Sequence, residues 1–366
     1  MVGMSMSGKY DLAIVGGGII GAWALYLASR RYPDWRIILI ERFKVGDGAT
    51  AHSAGVSLPI GRSAREQQLA ANSARLYQEV HESLRFGTTK TDVFWVTNLS
   101  DKEALRNAAV GFAIEDTSMT ADELGGRIEM PLHLDAAEII LRGGTAVAYD
   151  PGQVARTLVE ASLRAANVRC IEGMAVKSIQ PSTAGAELLQ DDGTIVSALR
   201  TLVTVGPWMI EGPVDAFSRE HSVRVKKVVA LHLDQVPPRD AATVVFPQSD
   251  AFLLPLWARN QWLFSFRSDE WDCLPRKHTL EISGRDRELA QDILECYLPG
   301  MSQTCRGGRV FCDAYSTDGV PLVKFDSSNQ TIVAGACSGS GFRLAPGIAD
   351  EALRMFPSVA RSCGFL

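Results

Sequence analysis

Apolar and polar positions follow two different patterns along the first 40 residues of the chain. Residues 11–15 (DLAIV) and 36–40 (RIILI) contain nearly continuous apolar runs, and the residues from Ile19 to Arg30 between them carry apolar side chains at helical spacing. A strand that is buried on both faces, as in a parallel sheet, shows such a run instead of alternation. The pattern therefore predicts a strand, a helix and a second parallel strand, which together form a βαβ unit.

Helical periodicity returns several times further along the chain. Asp150 and Pro151 supply an N-cap and a proline suited to a first helical turn, so we predict a helix that starts there and ends near Asn167. The small, glycine-rich residues 46–55 (GDGATAHSAG) predict an extended loop. Further helices are predicted over residues 62–85, 101–109, 120–125, 286–296 and 341–355.

Strand patterns dominate the chain between residues 168 and 267. The sequence Asp191-Asp192-Gly193 predicts the turn of a hairpin. Three long apolar strands follow with few helices between them, and no internal repeat is present. The predicted strands span residues 168–171, 175–179, 201–205, 223–233, 251–257 and 261–267.

The turn that follows the first strand has the spacing G-x-G-x-x-G, formed by Gly16, Gly18 and Gly21. Such glycines permit a tight turn, a close approach of the backbone to a pyrophosphate and close helix–strand packing, while the helix N-terminus favours negative charge. Glu41 ends the second strand 20 residues later, where a carboxylate accepts hydrogen bonds from a ribose 2′-hydroxyl. These features predict dinucleotide binding, and the acidic residue disfavours NADP.

Together these patterns predict an α/β fold (α+β overall) with two discontinuous domains. The first is a Rossmann-type dinucleotide-binding domain, and the second is an inserted, mostly antiparallel β-sheet domain that binds the substrate. We assign residues 1–85, 148–215 and 308–366 to the first domain and residues 86–147 and 216–307 to the second.

Charge and cysteine content narrow the possible partners. The 37 Lys and Arg residues against 42 Asp and Glu residues give a net charge of −5 without a basic run, so we expect no nucleic-acid partner. The seven cysteines show no C-x-x-C spacing, so we predict neither a metal site nor a disulfide framework. Because disulfides are typical of oxidising compartments, the lack of a disulfide framework favours a cytoplasmic location. The apolar residues 13–28 contain four glycines and are too short to span a bilayer, so no membrane association is expected.

Four separated stretches carry a resemblance to a known family: DLAIVGGGIIGAWALYLASR with IERF, GDGATAHSAG, YDPGQVARTLVEAS through TLVTVGPW, and STDGVPLV followed by IVAGACSGSGFRLAPGIADE. They resemble the FAD-dependent amino-acid and amine oxidases of the D-amino-acid oxidase superfamily, which includes enzymes of the glycine oxidase and monomeric sarcosine oxidase type. The resemblance covers most of the dinucleotide-binding domain and little of the strand-rich insert. It implies that the cofactor is FAD.

The resemblance also implies which residues contact FAD. The glycine turn meets the diphosphate, Glu41 and Arg42 meet the adenosine end, and the last turn before the final helix lies against the flavin ring. The implied FAD-binding residues are Gly16, Gly18, Ile19, Ile20, Gly21, Glu41, Arg42, Ala49, Thr50, Ser53, Ala54, Gly55, Val176, Gly206, Gly339, Gly341, Phe342 and Arg343.

Substrate recognition is expected to depend on arginines. Arg343 occupies the position where the resemblance implies a cation for the substrate carboxylate, and a guanidinium can bind that group in a bidentate manner. Arg309 and Arg306 are second candidates, and Arg62 is a third. His52 lies beside the expected flavin face, and Phe264 falls near the position of an oxygen-activating lysine in the family. We thus assign catalytic roles to Arg343, Arg309 and His52, and substrate contacts to Arg343, Arg309, Arg62 and Phe264.

Whether FAD is covalently attached depends on which side chains of one strand point toward the flavin ring. The cysteine that binds FAD covalently in sarcosine oxidases falls on Phe311 in this chain, and Cys312 is its neighbour. Neighbouring side chains on a strand point to opposite faces, so the Cys312 thiol is expected to point away from the ring. The sequence therefore predicts non-covalent FAD.

The resemblance implies oxidation of the C–N bond of a glycine-type or N-substituted amino acid. Hydride passes to the flavin, the imine hydrolyses, and O2 reoxidises the cofactor to give H2O2. The partner is then a small-molecule amine or amino acid, and the oligomeric state stays open. Two alternatives remain: an FAD-dependent dehydrogenase of a hydroxy acid or amine that uses another electron acceptor, and a non-catalytic flavoprotein.

Overall fold

The computed structural model describes residues 9–183, 185–276 and 280–356. The predicted domain segments before residue 9 and after residue 356 lie outside the described residues. No helix in the described part of the chain has the length and apolar character needed to cross a membrane.

Local capping signals explain where several helices begin. Ser63 and Glu66 form a capping box at the start of one helix, and Ser283 and Asp286 do the same at another. The α-helices of the described residues are α1 (Ile19–Arg31), α2 (Ala49–His52), α3 (Ala64–Leu84), α4 (Lys102–Ala108), α5 (Ala121–Ile128), α6 (Pro151–Ser162), α7 (Asp215–Glu220), α8 (Gly284–Tyr297) and α9 (Gly341–Met355).

The strands of the described residues are β1 (Lys9–Tyr10), β2 (Leu12–Val15), β3 (Ile37–Glu41), β4 (Val56–Ser57), β5 (Thr88–Asn98), β6 (Glu115–Asp116), β7 (Glu138–Tyr149), β8 (Val168–Glu172), β9 (Val176–Ser182), β10 (Gly185–Gln190), β11 (Ile195–Ala198), β12 (Thr201–Val203), β13 (Arg224–Leu233), β14 (Thr243–Phe246), β15 (Ala251–Leu256), β16 (Gln261–Phe266), β17 (Cys305–Tyr315), β18 (Leu322–Asp326) and β19 (Thr331–Gly335).

A six-stranded sheet in the order β18-β19-β12-β2-β3-β8 forms the centre of the dinucleotide-binding part. All of its pairings are parallel except that of β18 with β19. Every residue of β2, β12 and β19 is buried, which explains their continuous apolar runs. Helix α1 packs against α6 and α9 in the largest apolar core. The predicted βαβ unit is therefore present.

A second, larger sheet has the order β17-β13-β16-β15-β14-β5-β7-β4, and β6 pairs with β7 at its side. Its pairings are antiparallel except for the parallel contact between β14 and β5. The predicted fold class, a Rossmann-type domain with a mostly antiparallel substrate sheet, is thereby confirmed. A smaller sheet, β1-β11-β10-β9, contains the predicted hairpin, in which Leu189 pairs with Ile195.

Several features differ from the sequence-based expectations. Helix α6 ends at Ser162 instead of near Asn167, and the predicted extended loop 46–55 contains the short helix α2. Strand β7 was not predicted. It contains Gly143 and Gly144, the second at a φ of 86°, and the register of its pairing with β5 shifts nearby, so its side chains do not alternate regularly.

Candidate active site

One cavity of about 1150 Å³ extends from the carboxyl ends of the parallel strands to one face of the larger sheet. Val15 and Ile40, which end or nearly end β2 and β3, line it on one side. Val228 and Ala230 of β13 and Ser265 of β16 line it on the other. Ligands of open α/β folds bind outside the carboxyl ends of the strands. The cavity is thus in the expected place for a dinucleotide and a substrate.

Two of the three motif glycines, Gly16 and Gly21, occupy positions where a side chain does not fit. Gly16 has a φ of 101°, and a Cβ there would lie 2.6 Å from the Thr204 carbonyl oxygen. A Cβ at Gly21 would lie 1.9 Å from the Gly16 carbonyl oxygen, and one at Gly18 would touch the Thr50 hydroxyl oxygen at 3.4 Å. Gly16 and Gly18 line the cavity, whereas Gly21 lies behind them and permits the close packing of α1.

Glu41 stands at the end of β3 with both carboxylate oxygens engaged by the backbone. Oε2 accepts a hydrogen bond of 2.6 Å from Gly17 N, and Oε1 accepts one of 2.8 Å from Phe43 N. Burial raises the pKa of Glu41, and these two donors oppose the shift. Because each carboxylate oxygen can accept more than one hydrogen bond, Glu41 retains capacity for a ribose hydroxyl.

The segment from Ala49 to Gly55 runs along the cavity. The Thr50 hydroxyl oxygen accepts a 3.0 Å hydrogen bond from Ile19 N and so joins this segment to the start of α1. The Arg309 guanidinium donates a 2.8 Å hydrogen bond to the Ser53 carbonyl oxygen. The His52 ring stacks on Phe311, with a centroid distance of 6.3 Å. The segment is therefore held at both its ends.

Residues 335–343 line the cavity up to the first turn of α9. Gly339, at a φ of 84°, donates a 2.9 Å hydrogen bond from its N–H to Asp313 Oδ2. Helix α9 begins at Gly341, so the unpaired N–H groups and positive dipole of its N-terminus face the same space. This end of the cavity stabilises negative charge.

Arg343 enters the cavity from the first turn of α9. Among the described residues its guanidinium has no hydrogen bond or ion pair, and its Nε is buried. Burial lowers the pKa of Arg343, while Glu66 acts in the opposite direction. The Glu66 Oε2 already accepts hydrogen bonds from Arg62 N and Ser63 N. Arg343 is thus a half-buried cation that is available to an anion.

Strand β17 separates two neighbouring side chains. Phe311 lines the cavity, whereas Cys312 is buried on the other side of the sheet in an apolar cluster. Phe311 pairs with Val228 and Cys312 with Lys227, so the register is regular at this point. Burial raises the pKa of the Cys312 thiol to about 12. The geometry agrees with the prediction of non-covalent FAD.

A model of the family described as "FAD dependent oxidoreductase" (DAO) matches residues 11–355. The chain belongs to this family of FAD-dependent oxidoreductases. No curated protein matches the chain.

Solved structures share the fold at low sequence identity. L-proline dehydrogenase from P. horikoshii is 14% identical with a TM-score of 0.77, and covers 95% of this chain and 93% of its own. Glycine oxidase from Geobacillus kaustophilus is 20% identical with a TM-score of 0.74, and covers 96% of both chains. NikD, described as an unusual amino acid oxidase, is 16% identical with a TM-score of 0.74, and the match covers 97% of this chain and 96% of the NikD chain.

The cofactor of this DAO family chain is FAD, and the site residues fit it. The turn at Gly16 and Gly18 leaves the backbone open to a diphosphate, Glu41 retains an acceptor for a ribose, and the N-terminus of α9 faces the far end of the same cavity. A single elongated cavity therefore offers a complementary group to each part of the dinucleotide.

Most of the predicted site residues meet at this cavity. Gly21, Arg309 and Phe264 do not line it: Gly21 packs behind the glycine turn, and Arg309 is bound to the Ser53 carbonyl oxygen. Phe264 is 1% exposed in the apolar core on the opposite face of the sheet, while its neighbour Ser265 lines the cavity. The predicted residues that line it are Gly16, Gly18, Ile19, Ile20, Glu41, Arg42, Ala49, Thr50, His52, Ser53, Ala54, Gly55, Arg62, Val176, Gly206, Gly339, Gly341, Phe342 and Arg343.

Several polar residues of the cavity were missed from the sequence. Lys226, Asp250, Arg267, Asp313 and Tyr315 line it opposite the start of α9. They belong to long strands and turns that carry no sequence motif. Only the face of the sheet on which each residue lies identifies it as a cavity residue. Alternation along β13 and β17 shows which residues share a face of the sheet. It does not show which of the two faces lines the cavity.

Proposed function

We propose that the protein oxidises the C–N bond of an amino acid of the glycine or N-substituted type. The observation that carries this proposal is Arg343, a half-buried arginine with a buried Nε and no partner among the described residues, at the α9 end of the FAD cavity. A buried unpaired cation is unfavourable, and a carboxylate compensates it with two parallel hydrogen bonds. An α-carboxylate on Arg343 fixes the neighbouring α-carbon within the cavity.

The chemistry divides between cofactor and chain. Bound FAD supplies a two-electron acceptor for the hydride that leaves the α-carbon. Arg343 binds and orients the carboxylate, and the N-terminus of α9 favours negative charge at this end of the site. The amine reacts in its neutral form, loses its N–H proton as the imine forms, and water then converts the imine to an oxo acid and a free amine. Oxygen takes up the two electrons and two protons, which balance the hydride and the N–H proton lost by the amine, and becomes H2O2.

An amine dehydrogenase with another electron acceptor is the second candidate. Two observations favour it: Phe264, near the position where the resemblance implies an oxygen-activating lysine, is buried outside the cavity, and one structure of similar fold is that of an L-proline dehydrogenase. The two candidates share the reductive half-reaction and differ only in what reoxidises FAD.

The test separates the two halves of the reaction. Anaerobic addition of sarcosine, glycine, proline and longer N-alkyl glycines to the FAD-loaded protein is expected to bleach the flavin with at least one of them. Arg343→Ala should raise the half-saturating substrate concentration by about a hundredfold, corresponding to the loss of a charge-assisted bidentate contact. Arg306→Ala is the control, because Arg306 is an exposed arginine of β17 that does not line the cavity and donates to the Gln303 carbonyl oxygen.

Each outcome has a distinct meaning. Reoxidation of the bleached enzyme by O2 supports the oxidase, whereas reoxidation only by a dye or quinone supports the dehydrogenase. Bleaching by 2-hydroxy acids and not by amines would contradict both. A flavin that stays oxidised with every compound would favour a non-catalytic flavoprotein.

A further inference from the structure

Lys226 is a second cation of the same cavity. It lies on β13, is 5% exposed, and lines the cavity together with Val228 of the same strand face. Its ammonium group stands 4.6 Å from the ring centroid of Tyr315 and 5.3 Å from that of Trp271. Within the described ranges its Nζ has no hydrogen bond and no ion pair. The two rings therefore lie against the ammonium group itself, which has no anionic partner.

The carboxylates near Lys226 do not compensate it directly. Asp313 is its cross-strand neighbour on β17, but Asp313 accepts hydrogen bonds from Gly339 N and Ala314 N. Asp250 is exposed at the turn between β14 and β15, and its charge acts on both Lys226 and Arg343. Arg267 adds a further positive charge that acts on Lys226. The two unpaired cations therefore face a common region.

Contact with the rings does not by itself account for a buried ammonium. A cation over aromatic faces gains a modest attraction, whereas the loss of water from a buried charge is a larger cost that an anion offsets. Lys227, the next residue, shows the usual solution: it points to the opposite face and forms ion pairs with Glu270 and Asp286. Lys226 lacks such a partner, and the cavity is where a partner can enter.

We propose that the substrate carries a second anionic group, and that Lys226 binds this group while Arg343 binds the α-carboxylate. This inference rests on the proposed function and names its substrate class: acidic α-amino acids, or N-substituted glycines with an acidic arm. A neutral substrate would leave Lys226 without an anionic partner in the enzyme–substrate complex. Lys226 thus acts as a specificity-determining residue.

The first experiment needs no variant. Glutamate and glutamine, and aspartate and asparagine, differ in charge at nearly constant shape, so both enantiomers of each pair are tested by anaerobic flavin bleaching. We expect the acid of a pair to half-saturate the FAD-loaded enzyme at a concentration at least about tenfold below that of its amide. An amide that matches or exceeds its acid would overturn the proposal.

The second experiment locates the effect. Lys226→Met should raise the half-saturating concentration of the acid to that of the amide and leave the amide unchanged, and Lys226→Arg should retain most of the preference. Lys90→Met, which removes an exposed lysine of β5, is the control for charge alone. An equal loss for acid and amide in Lys226→Met would show a general structural role and refute the proposed one.

A binding measurement distinguishes failure of this inference from failure of the proposed function. Glutarate is a dicarboxylate without an amine, and its binding is followed by the change in the flavin absorbance spectrum, with butyrate as the monocarboxylate comparison. Tighter binding of glutarate that disappears in Lys226→Met supports the anion site even if no amino acid bleaches the flavin. Equal binding of the two acids overturns the inference even if neutral amines are oxidised.

Discussion

The Tyr77 hydroxyl donates a 2.8 Å hydrogen bond to the Phe342 carbonyl oxygen, across the contact between α3 and α9. In a regular helix this oxygen would accept from the residue four positions later, but that residue is Pro346, which has no N–H. Tyr77 is therefore the donor that completes the first turn of α9, beside the cavity. A proline inside this helix is tolerated because a side chain of another helix replaces the missing bond.

Tyr77→Phe is expected to lower the free energy of unfolding by about 1–3 kcal/mol, because it leaves a buried carbonyl oxygen without a donor. Urea unfolding of the FAD-loaded protein measures the change. Tyr10→Phe is the control, since the Tyr10 hydroxyl has no hydrogen bond among the described residues and Tyr10 is also buried. Equal stability losses in the two variants would contradict the role of Tyr77.

Arg309→Met is expected to weaken FAD binding more than substrate binding. The Arg309 guanidinium donates to the Ser53 carbonyl oxygen, so its loss releases the segment that lines the cofactor cavity. A charge-assisted hydrogen bond contributes about 1.5–3 kcal/mol, which corresponds to a tenfold or larger rise in the Kd of FAD. Cofactor titration and the KM for the best amine measure the two effects. A raised KM with unchanged FAD binding would instead restore Arg309 as a substrate ligand.

The sequence predicted the parts of this fold whose signals are local. Gly16, Gly18 and Glu41 lie within one βαβ unit, where a strand, a turn and a helix N-terminus follow one another along the chain. Lys226 gave no such signal, because its place in the cavity depends on which face of the larger sheet is covered. Phe264 and Ser265 illustrate this dependence. Phe264 points into the apolar core, whereas Ser265, the next residue of the same strand, lines the cavity.

Lys227→Met should destabilise the protein by about 3–5 kcal/mol, because the buried Asp286 carboxylate keeps its hydrogen bonds from Ser283 but loses its cation. Lys227 Nζ lies 2.9 Å from Asp286 Oδ2, and both side chains are nearly fully buried. Lys324→Met, at an exposed position of β18, should cost little by comparison. The double variant Lys227→Met/Asp286→Asn is expected to recover part of the loss in urea unfolding. No recovery would show that the two charges do not depend on each other.

Acid precipitation of the purified protein is expected to leave all of the flavin in the supernatant. The Cys312 thiol lies on the face of β17 away from the cavity, and burial raises its pKa to about 12, so the nucleophilic thiolate is scarce. Cys312→Ala should therefore release the same amount of flavin as the unchanged protein. A yellow pellet that becomes colourless in Cys312→Ala would show covalent attachment and contradict the prediction of non-covalent FAD.

Asp350 is expected to make stability depend on acid pH. It is buried in α9 and receives hydrogen bonds from Arg31 and Asn72, with Arg354 2.8 Å away. Burial acts to raise the pKa of Asp350, but these hydrogen bonds and charges outweigh it and hold the pKa below its ordinary value of 3.8. The unfolded chain therefore takes up a proton first as pH falls, and the stabilisation is lost between the unfolded and the folded pKa.

Asp350→Asn is accordingly expected to be less stable than the unchanged protein by about 1–3 kcal/mol at pH 7. The difference should stay constant down to about pH 5 and then shrink as pH falls through the ordinary pKa of an aspartate and below it. Urea unfolding of both proteins at a series of pH values measures it, with Asp34→Asn, at an exposed position in the turn after α1, as the control. A difference that is the same at pH 7 and pH 3 would mean that the charge of Asp350 contributes nothing and that only its shape is needed.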